Sequence, residues 1–112
     1  MIPSQLLKGT LEGCILAAIR QRPTYGYEIA QTLAACGFGQ IAEGTIYPLL
    51  LRLEKNGAVR AETRPSPLGP SRKYYSLTQA GEQALADFMA SYAELSRAVD
   101  RLLADTKKEV QP

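Results

Sequence analysis

The chain contains no histidine and no tryptophan, and only two of its 112 residues are cysteines. Without histidine it lacks the commonest general base and the commonest zinc ligand. Cys14 and Cys36 are too few to form a structural zinc site alone, and we expect both to be free, buried thiols. The sequence also has no glycine-rich phosphate loop and no nucleophile elbow. These absences argue against an enzyme, a metal centre and a cofactor site.

Long apolar runs are also missing. None approaches the roughly 18 residues that a membrane span needs, and the N-terminus lacks the basic start and apolar core of a secretion signal. We therefore expect a cytoplasmic protein with no membrane partner. Hydrophobic residues make up 46% of the chain, which is enough for one packed domain.

The net charge is only +2, but it is unevenly distributed. Residues 43–77 carry six positive and three negative side chains, whereas residues 78–112 carry four positive and six negative ones. A basic middle and an acidic tail suit a nucleic-acid surface in the middle of the chain.

The segment Glu43–Gly57 reads as a short amphipathic helix. Pro48 has no backbone N–H, which favours a position near the helix start, and Asn56–Gly57 is a typical helix stop. One side carries the apolar residues at helical spacing: Ile46, Leu49, Leu50 and Leu53. The other side carries Gly44, Thr45, Pro48, Leu51, Arg52 and Lys55. This pattern fits a helix in the DNA major groove, and it equally fits any surface helix of a small domain.

Two further helices are predicted before this one. The first is expected over Ser4–Arg20, where glycines at 9 and 13 indicate close packing against a neighbour. The second is expected over Tyr25–Ala35, capped by Thr24 and ended by Gly37–Gly39. Three helices joined by short turns predict a helix-turn-helix unit.

After Gly57 the periodicity changes to that of strands. Val59–Arg64 and Arg72–Leu77 each alternate apolar and polar residues, as half-exposed strands do. The proline-rich stretch Pro65–Pro70 between them is predicted to be a loop. A helical unit followed by a hairpin with a basic tip predicts a winged helix-turn-helix.

The last predicted helix is capped by Thr78 and runs to about Asp105, with residues 107–112 frayed. Its start can lie on the chain's own core, but its later part has no chain left to cover it, which predicts pairing with a second copy. The apolar residues of this seam are spaced three and four apart: Leu85, Phe88, Tyr92, Leu95, Val99 and Leu102. The predicted fold class is mainly α with a small β-hairpin. Residues 1–77 are the expected winged helix-turn-helix and residues 78–112 the dimerisation helix, together one compact unit.

With these segments in place, the chain resembles the PadR family of transcriptional regulators. The matching blocks are LLKGTLE (Leu6–Glu12), YGYEI (Tyr25–Ile29), EGTIYPLLLRLEKNG (Glu43–Gly57) and RKYYSLTQAG (Arg72–Gly81). They follow the family's order and spacing, and the single C-terminal helix resembles the compact subgroup that dimerises through it. The resemblance implies a homodimer that binds an imperfect palindrome in double-stranded DNA and represses a nearby promoter, often until a ligand loosens the binding.

The resemblance also assigns residue roles. The helix from Glu43 would be the recognition helix, with Thr45, Tyr47, Pro48 and Arg52 at or near DNA, and Arg72 and Lys73 would lie on the wing. Lys8 and Lys55 are further candidates for phosphate contact. Several of them have an alternative role that involves no DNA. These roles are an ion pair within the helix for Arg52, a helix cap for Thr45, core packing for Tyr47 and plain solvation for Lys55.

Leu51 departs from the family pattern, which usually has a polar or basic residue there. It can touch a thymine methyl group, or it can mark a face for a protein partner on an adaptor that does not bind DNA. Compact family members also bind flat aromatic molecules at the dimer interface, and Phe88, Met89 and Tyr92 would line such a cavity here unless they form the helix-pair core.

Overall fold

Among residues 2–110, five α-helices and one β-hairpin follow each other along the chain. The computed structural model describes these residues, with side chains as far as residue 106. The elements are α1 Ser4–Leu7, α2 Leu11–Gln21, α3 Gly26–Leu33, α4 Glu43–Lys55, β1 Val59–Ser66, β2 Gly69–Leu77 and α5 Gln79–Val110. The predicted class, mainly α with a hairpin and a long C-terminal helix, is confirmed.

The core forms where α2, α3 and α4 meet. Its least exposed side chains are branched aliphatic residues, Ile15 and Ile19 from α2, Ile29 from α3, and Ile46 and Leu50 from α4. Burying a side chain of this size contributes about 1.5–3 kcal/mol. The core therefore fixes the orientation of α4, and with it the direction in which the exposed side of α4 faces.

The predicted single helix over Ser4–Arg20 is wrong, because the chain breaks between α1 and α2. Gly9 adopts φ +96°, a left-handed conformation that interrupts an α-helix. The hydroxyl of Thr10 donates to the carbonyl oxygen of Leu7 at 2.9 Å across the break. At Gly13 the expected close packing is confirmed, since a Cβ there would overlap the ring of Phe88 from α5.

Thr24 does not cap α3, contrary to the prediction. It is buried, and its backbone pairs with Tyr75 of β2 through N–H donation in both directions, at 3.2 and 2.7 Å. Its hydroxyl donates to Oε1 of Glu28 at 2.7 Å instead of to the helix start. Thr24 thus ties the turn before α3 to the hairpin.

The two cysteines are free, but only one is shielded. Cys14 is half-buried on α2, and burial raises the pKa of its thiol. Cys36 lies exposed in a π-helical turn, Ala34–Phe38, that follows α3. The predicted burial is therefore wrong for Cys36.

The hairpin is longer than predicted. The strands β1 and β2 pair antiparallel, with Ala61 opposite Tyr75 and Arg64 opposite Arg72. The register shifts between Arg64 and Ser66, an irregularity that accommodates Pro65, which cannot donate to the ladder. The expected loop over 65–70 is therefore wrong, and only residues 67 and 68 connect the strands.

The helix α5 begins as predicted and extends further. The hydroxyl of Thr78 accepts a hydrogen bond from the N–H of Gly81 at 3.1 Å, which confirms the cap. The backbone is helical to Val110, five residues past the expected end at Asp105, so the fraying expected for residues 107–112 is wrong for residues 107–110, while residues 111 and 112 lie outside the described residues. Neither α5 nor any other helix within residues 2–110 is apolar enough over sufficient length to cross a membrane.

Candidate nucleic-acid interface

The helix α4 has one buried side and one exposed side, as predicted. Its N-cap is Ala42, without a side-chain hydrogen bond, so Thr45 is not the cap and its hydroxyl lies on the exposed side. Pro48 is the sixth residue of α4, deeper than the expected position near the start. Because it has no N–H, the carbonyl of Gly44 lacks its usual helical donor.

Arg52 is held by an acidic residue of another helix. Both its Nε and its Nη2 donate to Oε2 of Glu12 on α2, at 3.2 and 2.7 Å. The alternative of an ion pair within α4 is therefore wrong. An arginine has five N–H donors, so three remain to face outward, and the side chain is still 59% exposed. The arrangement holds a cation at the edge of the exposed side of α4.

Tyr47 combines packing with an exposed hydroxyl. Its ring lies against Gly26 of α3, where a Cβ would be 2.9 Å from the ring. Its hydroxyl donates to Oε1 of Glu43 at 3.4 Å, and 48% of the residue is exposed. Burial, followed by the Glu43 carboxylate, raises the pKa of Tyr47, which keeps the hydroxyl protonated as a donor.

Two arginines of the hairpin, or wing, lie on tyrosine rings. The guanidinium of Arg64 lies 4.5 Å from the ring centre of Tyr74, and that of Arg72 lies 4.6 Å from the ring centre of Tyr25. The two rings are themselves 5.2 Å apart. Arg64 also donates to Glu62 at 3.0 Å. Each cation–π contact contributes about 0.5–1 kcal/mol at an exposed site, and together they restrain the two cations.

Lys73 connects the wing to α4. Its Nζ donates to Oε1 of Glu54 at 3.0 Å, and this hydrogen bond raises the pKa of Lys73. The wing therefore lies beside the C-terminal half of α4. Lys8 and Lys55 are exposed, and neither has an ion-pair partner within the described part of the chain.

A groove of about 610 Å³ separates the N-terminal segment from α4. Lys8, Glu12 and Arg52 line its polar part, and Phe38, Ile41 and Leu49 are among its apolar walls. The fold thus brings Lys8 into the neighbourhood of Arg52, although the two residues are far apart in the sequence.

The apolar seam of α5 begins later than predicted. Leu85 is only 4% exposed and belongs to the chain's own core, which corrects its place on an exposed seam. Phe88 is half-buried against Gly13, and its ring stacks on that of Tyr92 at 6.0 Å. The exposed apolar residues further along are Met89, Tyr92, Leu95, Val99, Leu102 and Leu103. Of these, only Leu103 was not identified from the sequence.

The sequence analysis missed Glu12 as a part of this surface, and it did not count Arg64 among the DNA contacts. Arg64 was expected at the basic tip of the hairpin beside Arg72 and Lys73, and that position was a usable signal. Glu12 had no such signal, because its role depends on a contact with Arg52, which lies 40 residues further along the chain on another helix. Among residues whose side chains are described, no three potential metal ligands gather in one place.

Comparison with known proteins groups this chain with transcription regulators. The profile of a family described as "Transcriptional regulator PadR-like family" matches residues 15–87. A transcriptional regulator from Mycobacterium tuberculosis, Rv3488, is 34% identical over 85 residues, which cover 76% of this chain and 78% of that protein.

Two solved structures are similar over almost their whole length. A Streptococcus transcriptional regulator is 51% identical with a TM-score of 0.77, and the match covers 89% of this chain and 98% of that one. A PadR-like transcriptional regulator from Bacillus cereus, BC4206, is 46% identical with a TM-score of 0.78, covering 88% and 96% of the two chains.

Proposed function

Because the chain belongs to the PadR-like family of transcriptional regulators, we propose that it is a cytoplasmic repressor that binds a palindromic operator as a homodimer. In this proposal residues 1–77 bind DNA and residues 78–112 form the dimerisation helix. The observation that carries it is the exposed side of α4, which lies opposite the buried residues Ile46, Leu50 and Leu53. Arg52 lies at one edge of this side and Lys55 at its C-terminal end. The wing places Lys73, which is ion-paired with Glu54, beside the C-terminal half of α4.

Each named residue has a distinct task in this proposal. Thr45, Tyr47 and Pro48 meet DNA through the N-terminal half of α4, and Arg52 supplies outward N–H donors to a base edge or a phosphate. Lys55, Arg72, Lys73 and Lys8 contact phosphates, which contributes affinity without sequence preference. The tyrosine rings beneath Arg72 and its neighbour Arg64 reduce the conformational entropy that a phosphate contact costs.

Dimerisation is supported by the seam of α5. From Tyr92 to Leu102 the apolar side chains are between 44% and 68% exposed, and contiguous apolar patches of this kind are rare on monomers. Two copies related by a two-fold axis would present two α4 helices to two half-sites, which is why a palindromic operator is part of the proposal.

The proposal includes release of DNA by a small aromatic effector. The stacked rings of Phe88 and Tyr92, with Met89 62% exposed beside them, offer flat apolar walls that a second copy would close into a cavity. The probe is anilinonaphthalene sulfonate, whose fluorescence should rise with the protein and not with a Tyr92→Ala variant. An equal rise with both proteins would remove Tyr92 from the site.

DNA binding is tested by fluorescence anisotropy with a labelled duplex from upstream of the protein's own gene. A scrambled duplex is the control, and both are measured at about 50 mM and about 200 mM salt. We expect tight binding to the first duplex only, weakening steeply with salt. Absence of binding to either duplex at the lower salt concentration would contradict the proposal.

One observation favours a second candidate, a winged-helix adaptor that binds protein instead of DNA. Leu51 is 62% exposed in the middle of the proposed DNA-binding side. An adaptor would be indifferent to Arg52→Ala in any DNA assay and would lose its protein partner with Leu51→Ala.

A further inference from the structure

A strip without polar side chains runs along the exposed side of α4. Gly44, Pro48 and Leu51 follow at spacings of four and three, so they line up on one side of the helix, and all three are exposed. The strip lies opposite Ile46 and Leu50, which are both 0% exposed. It is therefore the part of α4 that projects furthest from the core.

The strip can make apolar contacts with a partner but few hydrogen bonds. Leu51 is apolar and 62% exposed, and Pro48 lacks even a backbone N–H. A Cβ placed on Gly44 would meet no heavy atom within 4 Å, so the space in front of it is open. A surface with these properties recognises a partner group that is itself apolar.

Cationic side chains border the strip. Arg52, paired with Glu12, lies at one edge, Lys55 follows at the C-terminal end, and Lys73 of the wing, paired with Glu54, lies beside α4. The matching partner is therefore apolar in the centre and anionic at its borders. The DNA major groove has this arrangement wherever it contains thymine, because the 5-methyl group of thymine lies on the groove floor between two phosphate backbones.

We propose that Leu51, supported by Pro48, contacts the 5-methyl group of a thymine in each half-site and so contributes to the choice of operator. The inference rests on the proposed DNA binding and assigns to this residue a share of its specificity. Contact with the methyl group removes apolar surface from water on both partners, which selects T·A over the other pairs at that position.

Replacing thymine by deoxyuridine tests this contact with a minimal change. The substitution removes the methyl group and leaves every hydrogen-bonding group of the base pair in place. The operator is first obtained by selecting bound duplexes from a random pool with the wild-type protein. Thymines of each half-site are then replaced one at a time, and affinities are measured by anisotropy at a fixed salt concentration.

The expected result is a coupling between one methyl group and one side chain. For the wild type, deoxyuridine at one position per half-site should weaken binding on the order of fourfold per half-site, the size expected for one buried methyl group. The Leu51→Ala variant should bind the thymine duplex more weakly than the wild type does, and should bind the two duplexes equally. Leu51 is exposed, so this variant should melt at nearly the wild-type temperature.

Leu68→Ala is the matched control. Leu68 is 98% exposed at the wing tip, and its loss should leave the ratio of thymine to deoxyuridine affinities as in the wild type. If wild type and Leu51→Ala show the same ratio at every thymine, the inference is overturned while sequence-selective binding, and with it the proposed function, stands. If no duplex is enriched and none binds at low salt, both the inference and the proposed function are contradicted. Leu51 would then be a candidate contact for a protein partner.

Discussion

Arg52 and Glu12 are joined by two hydrogen bonds to a single carboxylate oxygen, although 40 residues separate them. The pair connects α4 to α2 at the edge of the exposed side of α4. Because the two side chains are 59% and 33% exposed, the pair itself contributes only about 0.2–1 kcal/mol to stability. Its greater effect is on the position of the guanidinium.

The first prediction separates a DNA contact of Arg52 from its ion pair. Arg52→Ala should weaken operator binding by about 1–3 kcal/mol, since it removes both charge and donors. Glu12→Ala breaks the same ion pair but keeps the guanidinium, so it should retain most of the affinity. Anisotropy titrations of both variants measure this, and an Arg52→Ala variant that binds as tightly as the wild type would show that Arg52 does not contact DNA.

The second prediction concerns the contact between Gly13 and Phe88. Gly13→Ala places a methyl group where the Phe88 ring lies, so the free energy of unfolding should fall by about 1–3 kcal/mol despite the better helix propensity of alanine. Urea denaturation measures the change. An unaltered denaturation midpoint would show that the ring turns aside at no cost.

The third prediction uses a glycine in open space. Gly44→Ala meets no neighbouring atom, so it should raise the free energy of unfolding by about 0.5–1 kcal/mol through lower backbone entropy of the unfolded chain. On DNA the same methyl group should lower affinity by about 1 kcal/mol, the lower end for a lost contact. Urea denaturation and anisotropy test the two effects separately. A variant that is more stable than the wild type and binds DNA with the same affinity would show that DNA does not approach the backbone at Gly44.

The fourth prediction addresses the seam of α5. Replacing Val99 and Leu102 together by glutamate places like charges on both sides of the proposed interface, so the dimer should dissociate into monomers of 12.2 kDa. Arg97→Glu is the control, because Arg97 follows Leu95 by two residues and lies on the other side of the helix. Sedimentation velocity distinguishes the outcomes, and a wild type that sediments as a monomer would contradict the proposal.

The fifth prediction is the pH dependence of stability. Burial raises the pKa of Cys14 above 9.0 and those of Tyr47 and Tyr75 above 10.0, and the bond to Glu54 raises that of Lys73 above 10.5. In each case the folded state binds its proton more tightly than the unfolded state. The stabilisation is complete below the unfolded pKa and is lost as pH rises through the folded pKa.

Stability should therefore be nearly constant from about pH 6 to about pH 8, where no histidine titrates, and should fall above about pH 9. Urea denaturation across this range measures it. Tyr47→Phe removes one contributing group, so its alkaline decline should be shallower than that of the wild type. A stability that rises with alkaline pH would contradict the assigned pKa directions.

The elements whose signals are local were predictable from the sequence. The alternation of buried and exposed residues along α4 determined its two sides, and the stop at Asn56 follows from local backbone preference. The cap at Thr78 is likewise a contact over three residues. Each of these features depends on neighbours within one or two turns.

Features that depend on tertiary contacts were not predictable in this way. Thr24 is of a residue type that often caps helices, yet its backbone pairs with Tyr75 because the fold brings β2 beside it. Gly9 and Gly13 look alike in the sequence, although one allows a left-handed turn and the other makes room for an aromatic ring. The register irregularity at Pro65 let β1 continue where the composition indicated a loop.

The helix α5 carries Leu85 in the core at one end and Val99 on the exposed seam further along. Each residue of an α-helix adds 1.5 Å of rise and about 100° of rotation, so in the proposed dimer the number of residues between these two positions sets the rotation of one DNA-binding unit relative to the other. Inserting one residue there would turn the two α4 helices out of phase with the turns of a bound duplex. Four inserted residues would return the rotation to within about 40° of the original while adding about 6 Å of length, so under this proposal the length of α5 sets the half-site spacing that the dimer fits.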